Sequence, residues 1–148
     1  MNFTYKGKEI KTSEDLPNGC IGFIYLITNL TNGKEYYGRK TFRGLVKKPL
    51  TLKEKAMPEF KRKKYKRIWK EYKGWQEYNG SCLPLLEDIK NGDKIKKEIV
   101  MVCYSKSEMT YFETKYIICS ECLEREDCYN GNVLGKIFPP RRDELETE

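Results

Sequence analysis

Tyr25, in the run GFIYLITN, and Tyr36, in the run KEYYGRKTF, are the residues whose type and spacing first suggest chemistry. Between them lies Leu30-Thr31-Asn32-Gly33-Lys34, a turn signal, because Asn-Gly accepts the positive backbone angles of a tight hairpin. Gly22 to Thr28 and Lys34 to Arg39 are rich in aromatic, β-branched and apolar residues and read as strands. Such a hairpin sets the two tyrosines on adjacent strands, where both phenols can converge on one site. The chain has no histidine, so any proton acceptor must be another group. A phenol of pKa about 10 is a poor base unless a nearby cation stabilises the phenolate. Arg39, Arg43, Lys47 and Lys48 follow Gly38 closely and can supply that charge. With eleven tyrosines in the chain, either one alone would read as an ordinary strand aromatic.

The charge pattern adds a partner. From Lys47 to Lys73 there are twelve Lys/Arg against three Asp/Glu, a local net of +9 in a chain of net +7. The positive excess therefore sits in one segment, with Phe60, Tyr65, Trp69 and Tyr72 interleaved. Clustered cations with aromatics suit a nucleic-acid backbone, where binding gains from counterion release. Lys61, Arg62, Lys63, Lys64, Lys66 and Arg67 are the candidate DNA contacts. The plainer alternative is a solvated, Lys-rich helix face whose aromatics turn into the core.

These residues need elements to position them. Phe3–Tyr5 and Glu9–Lys11 suggest a short strand pair across the Lys6-Gly7 turn. After the hairpin at about 22–39, the prolines at 49 and 58 predict a helix starting beyond Pro58, running to Tyr72 and ending before Gly74. Trp75 to Ser81 reads as a loop with an Asn79-Gly80 turn. Leu83 to Ile89 suits a short helix, and Ile95 to Cys103 a half-buried strand. A helix beginning at Ser107 carries Met109, Phe112, Tyr116 and Ile117 at helical spacing. Tyr129 to Asn132 marks a turn, and Val133 to Phe138 can make a last strand. The expected fold class is α+β, a small central antiparallel sheet flanked by helices. The expected organisation is a lead-in at 1–21, a domain at 22–138 and a charged tail at 139–148.

The order of these motifs and elements resembles the GIY-YIG nuclease family, with FIY and YYG standing for the two family signatures. The likeness covers about 20–138. The runs YYGRKTF, WQEYNGS, KKEIVMVCYSKSEMTYFETKY and CYNGN are similar to small stand-alone GIY-YIG endonucleases of tailed bacteriophages. The resemblance implies a metal-dependent endonuclease of homing or mobile-element type, acting on double-stranded DNA. It implies Glu113, on the helix after the third strand, as the metal ligand. The metal would be Mg²⁺ or Mn²⁺, which a single carboxylate can hold while the ion keeps most of its waters. It implies Tyr25 as base, Tyr36 orienting water or phosphate, and Asn130 tying Glu113 or the phosphate into place. The family also holds the phosphate with an arginine on the first helix after the YIG strand. Here Val46 falls at the simplest spacing, and Arg39, Arg43 and Lys47 are the candidates. That departure, with YYG, keeps a second reading open, a catalytically degenerate DNA-binding protein on the same scaffold.

At 148 residues the chain fits one domain. It has no run of apolar residues long enough to span a membrane and no apolar leader at its start, so a soluble, cytoplasmic protein is expected, in the host cytoplasm if phage-encoded. Cys20, Cys82, Cys103, Cys119, Cys122 and Cys128 lack a secretory context. They read as reduced structural thiols rather than a zinc site, although Cys119-x-x-Cys122 with Cys128 would be its nucleus.

Overall fold

The computed structural model describes residues 2–140. The part of the expected charged tail from residue 141 onward lies outside the described residues. Strands β1 (Thr4–Tyr5), β2 (Lys8–Glu9), β3 (Gly22–Asn29), β4 (Glu35–Thr41) and β7 (Ile95–Cys103) form one sheet, in the order β2-β1-β7-β3-β4. Its ladders are antiparallel except β1 with β7, which is parallel. The sheet is therefore mixed within the expected α+β class. The lead-in contributes to the domain: β1 pairs with β7, and Phe3 and Ile10 are buried.

β3 is the central strand, and its side chains alternate between two cores. Phe23, Tyr25 and Ile27 join Phe3, Phe42, Trp75 and Leu85 on one face. Ile24 packs with Cys103 and Met109 on the other. Leu85 belongs to helix α2 (Leu83–Lys90), and Met109 to helix α3 (Lys106–Cys119). Strand β3 is thus covered on both sides, which explains its nearly continuous apolar run. Between Ile24 and Tyr25 the register with β7 slips by one residue, leaving Val100 as a bulge. Bulges kink a strand and re-aim the neighbouring side chain. Tyr116 of α3 donates to the Val100 carbonyl at 3.2 Å and fixes this one in place.

Three expectations are corrected. The helix predicted from Pro58 to Tyr72 is absent. Strand β6 (Tyr65–Glu71) pairs with β5 (Arg43–Pro49) as a separate two-stranded ribbon, with helix α1 (Leu52–Lys55) in its connection. Lysine has good helix propensity, but Tyr65, Ile68 and Trp69 favour a strand once β5 offers a partner. Val133 to Phe138 forms no strand, only an isolated bridge between Val133 and Ile137 within a tight turn. The thiols are not all reduced either: Cys122 and Cys128 are joined in a disulfide, while Cys20, Cys82, Cys103 and Cys119 are free.

Candidate active site

β4 is an edge strand, and its two halves are treated differently. The segment 127–130 runs along its first half: Glu35 N–H donates to the Asp127 carbonyl at 2.9 Å, and Tyr129 N–H to the Glu35 carbonyl at 2.8 Å. Asn130 completes the match, accepting from Tyr37 N–H at 2.9 Å and donating to the Tyr37 carbonyl at 2.8 Å. Beyond that clamp, at Gly38 and Arg39, the edge opens into a cleft of about 520 Å³.

The cleft has a phenolic side and a charged side. Tyr36 and Gly38 share one face of β4, and Tyr25 stands directly opposite Gly38. The Tyr25 and Tyr36 rings are 6.2 Å apart, and Tyr78 adds a third ring 6.1 Å from Tyr25. Glycine is required at two points here. A Cβ on Gly38 would run into the Tyr25 hydroxyl. Gly80 has φ +89°, and a Cβ there would lie 2.9 Å from Tyr36 and 3.2 Å from the Tyr25 hydroxyl. Tyr25 is buried. Burial, then the neighbouring Tyr36 and Tyr78 phenols and Glu113, push its pKa far above the ordinary phenol value. Burial raises Tyr36 too, partly opposed by a hydrogen bond from Ser81.

On the charged side, Glu113 projects from α3, whose start is capped by the Ser105 hydroxyl accepting from Glu108 N–H at 3.2 Å. Arg39 lies 3.7 Å from the Glu113 carboxylate through Nε and donates from Nη1 to Thr110 Oγ1 at 2.9 Å. Desolvation raises the pKa of Glu113, and Arg39 opposes that rise. Among the described residues, Glu113 is the only carboxylate lining the cleft. Among the described residues no cluster of three or more acidic or thiol side chains gathers elsewhere as a cation cage. One partly desolvated carboxylate facing an open cleft is a donor set that fits a hard divalent ion retaining most of its waters.

The structure therefore brings Tyr25, Tyr36, Arg39, Glu113 and Asn130 to one cleft. Asn130 acts on the β4 backbone, not on Glu113. Arg43 and Lys47 lie on β5, outside the cleft lining. β5 follows β4 directly, and the first helix beyond it, α1, carries no arginine to hold a phosphate. Lys61 to Lys64 form the exposed turn before β6, Arg67 is exposed on β6, and Lys66 is tied to Glu54 at 2.5 Å.

The sequence does not single out Tyr78, Ser81 or Cys82 as site residues, yet all three line the cleft. The Asn79-Gly80 turn was the visible signal, but only the fold shows that this loop returns over β4. It is held by Lys97, a buried side chain of β7. Lys97 Nζ donates to the Gln76 carbonyl at 2.9 Å, the Tyr78 carbonyl at 2.9 Å and Asn79 Oδ1 at 3.2 Å.

Residues 3–133 match the family model described as "Putative endonuclease segE, GIY-YIG domain". No match to the chain is found among curated proteins or solved structures.

Proposed function

The chain belongs to the GIY-YIG endonuclease family of the SegE type, and from that premise we propose a divalent-metal-dependent hydrolysis of DNA phosphodiesters in the β4-edge cleft. The observation that carries this reading is the convergence of Tyr25, Tyr36, Arg39 and Glu113 on one opening. Glu113 would hold Mg²⁺ or Mn²⁺. Such an ion supplies charge for the phosphate and the leaving oxygen. Arg39 is the phosphate-holding cation, because its guanidinium fork offers paired donors and it alone of the three candidates lines the cleft. Tyr36 and Tyr78 orient the phosphate and the attacking water through their hydroxyls.

Tyr25 is the proposed acceptor of the water's proton. Burial holds its hydroxyl protonated at rest, so Tyr25 must first lose that proton to solvent, which requires positive charge close by, and the phenolate then takes the water's proton. Arg39, which lines the same cleft, and Lys40, whose ammonium lies 4.2 Å from the Tyr78 ring centre, are the cations proposed to supply that charge. The substrate is double-stranded DNA. A phage-encoded, homing or mobile-element enzyme is the biological setting proposed from the likeness of YYGRKTF and WQEYNGS to stand-alone phage nucleases.

The test is cleavage of supercoiled plasmid and phage genomic DNA in Mg²⁺, Mn²⁺ or EDTA, with wild type beside Glu113→Gln. Cutting is expected only with metal, and the variant should lose it by at least a hundredfold while still binding DNA. Wild-type protein that binds DNA and cuts none of it with either metal would move the assignment to a degenerate binding scaffold.

A further inference from the structure

The β5–β6 ribbon has two unlike faces. Paired positions on the first face are Arg43 with Glu71, Leu45 with Trp69, Lys47 with Arg67 and Pro49 with Tyr65. Leu45, Tyr65 and Trp69 are 50%, 53% and 58% exposed there, an unusual load of apolar surface for a free strand pair. The second face holds Val46 and Ile68, half-buried, and Gly44, where a Cβ would strike the Tyr72 hydroxyl. Tyr72 thus lies over the second face, while on the first face Arg43 and Trp69, at the root, line a small pocket with Gly19 and Ile21 and the rest stays exposed. The ribbon is anchored at its root: Phe42 and Trp75, which flank it in sequence, stack in the core with ring centres 5.1 Å apart. It leaves the sheet directly beyond β4, the strand that carries Arg39.

We propose that the first face of this ribbon enters the major groove of duplex DNA and supplies the sequence preference of the enzyme. The proposal rests on the nuclease reading for its orientation relative to the cut, and adds the element that reads the target. A two-stranded ribbon, with strands about 4.8 Å apart, fits a major groove about 12 Å wide. Lys47 and Arg67 in the middle of the face can donate to guanine, while Leu45 and the aromatics offer apolar contact to thymine methyls. The segment's net of +9 favours a polyanion and repels a second copy of itself. Seven residues of strand span roughly 20 Å, so contacts should reach about six base pairs to one side of the cut, at ~3.4 Å per step.

Binding selection tests this without relying on cleavage. Glu113→Gln protein is used to select from a pool of 40-base-pair duplexes with randomised sequence, alone and combined with Arg67→Ala, Trp69→Ala, or the second-face control Lys70→Ala. A short enriched motif is expected with Glu113→Gln and with Lys70→Ala. Arg67→Ala and Trp69→Ala should weaken binding to that motif at least tenfold and flatten it, with circular dichroism unchanged. A major-groove ligand such as methyl green should compete, and netropsin should not. No enrichment by the parent protein, or the same motif enriched by both first-face variants, overturns the proposal. So does self-association that those variants abolish while selection persists. Failure of wild type to cut DNA, with selection intact, would remove the nuclease reading and leave the groove reader standing.

Discussion

Gly38 stands opposite Tyr25 with no side chain between them, and the catalytic reading depends on that vacancy. Adding one methyl group would push the Tyr25 ring from its seat. Gly38→Ala is therefore expected to lower plasmid cleavage at least tenfold and to destabilise the fold by about 1–3 kcal/mol in urea unfolding, the usual cost of overpacking. Glu113 makes a second residue-scale prediction. Burial raises its folded pKa above the unfolded value, so the folded state binds more protons in that window. Its contribution to stability then falls as pH rises through the window, and the full cost is present at neutral pH. Glu113→Gln removes that cost. The variant should melt higher than wild type at neutral pH, and the difference should vanish once acid protonates Glu113 in both states. An equal gap at every pH would show that desolvation of the carboxylate is not its source.

Among the elements, the 75–81 loop reaches the site through one buried cation. Removing the Lys97 ammonium strands three acceptors, the Gln76 and Tyr78 carbonyls and the Asn79 amide oxygen. Leaving buried acceptors unpaired costs about 1–3 kcal/mol. Lys97→Met should lose that much stability, and cleavage should fall as Tyr78 and Gly80 lose their register over Tyr25. Desolvation lowers the folded pKa of Lys97 to about 8, against 10.5 for an unperturbed lysine. The unfolded chain therefore binds more protons between those values, and this group makes wild type more stable as pH rises across them. The stability gap between wild type and Lys97→Met should widen from pH 8 upward, measured by urea midpoints. A gap that narrows there would contradict a desolvated Lys97.

For the whole molecule, the main sheet and the ribbon divide the labour. The sheet holds a small, nearly neutral reaction cleft, and the ribbon with its connection carries the positive charge. No helix among the described residues is long and apolar enough to cross a membrane. DNA affinity should fall steeply between low and physiological salt. If six of the ribbon's cations meet phosphates, the slope of log affinity against log salt should be about −5. A flat response would show that the +9 segment does not follow the DNA backbone.

The sequence by itself determined the hairpin and the helix bearing Glu113, because turn residues, alternation and helical spacing are local signals, and it pointed to the family through the resemblance of FIY, YYG and CYNGN to the family's motifs. The Asn32-Gly33 turn alone places Tyr25 and Tyr36 on adjacent strands. The tertiary structure decided what depends on distant partners. Tyr65 to Glu71 became a strand only because β5 lies beside it, and propensity cannot report a partner fifteen or more residues away. Arg39 emerged among three candidate cations because β4 ends at an open edge while Arg43 and Lys47 continue onto the ribbon. Tyr78 and Ser81 entered the site through a loop that folds back over the sheet and is held there by Lys97. That closure is set by burial of Trp75 and Lys97 in the core, and no local pattern in the chain encodes where such a loop will land.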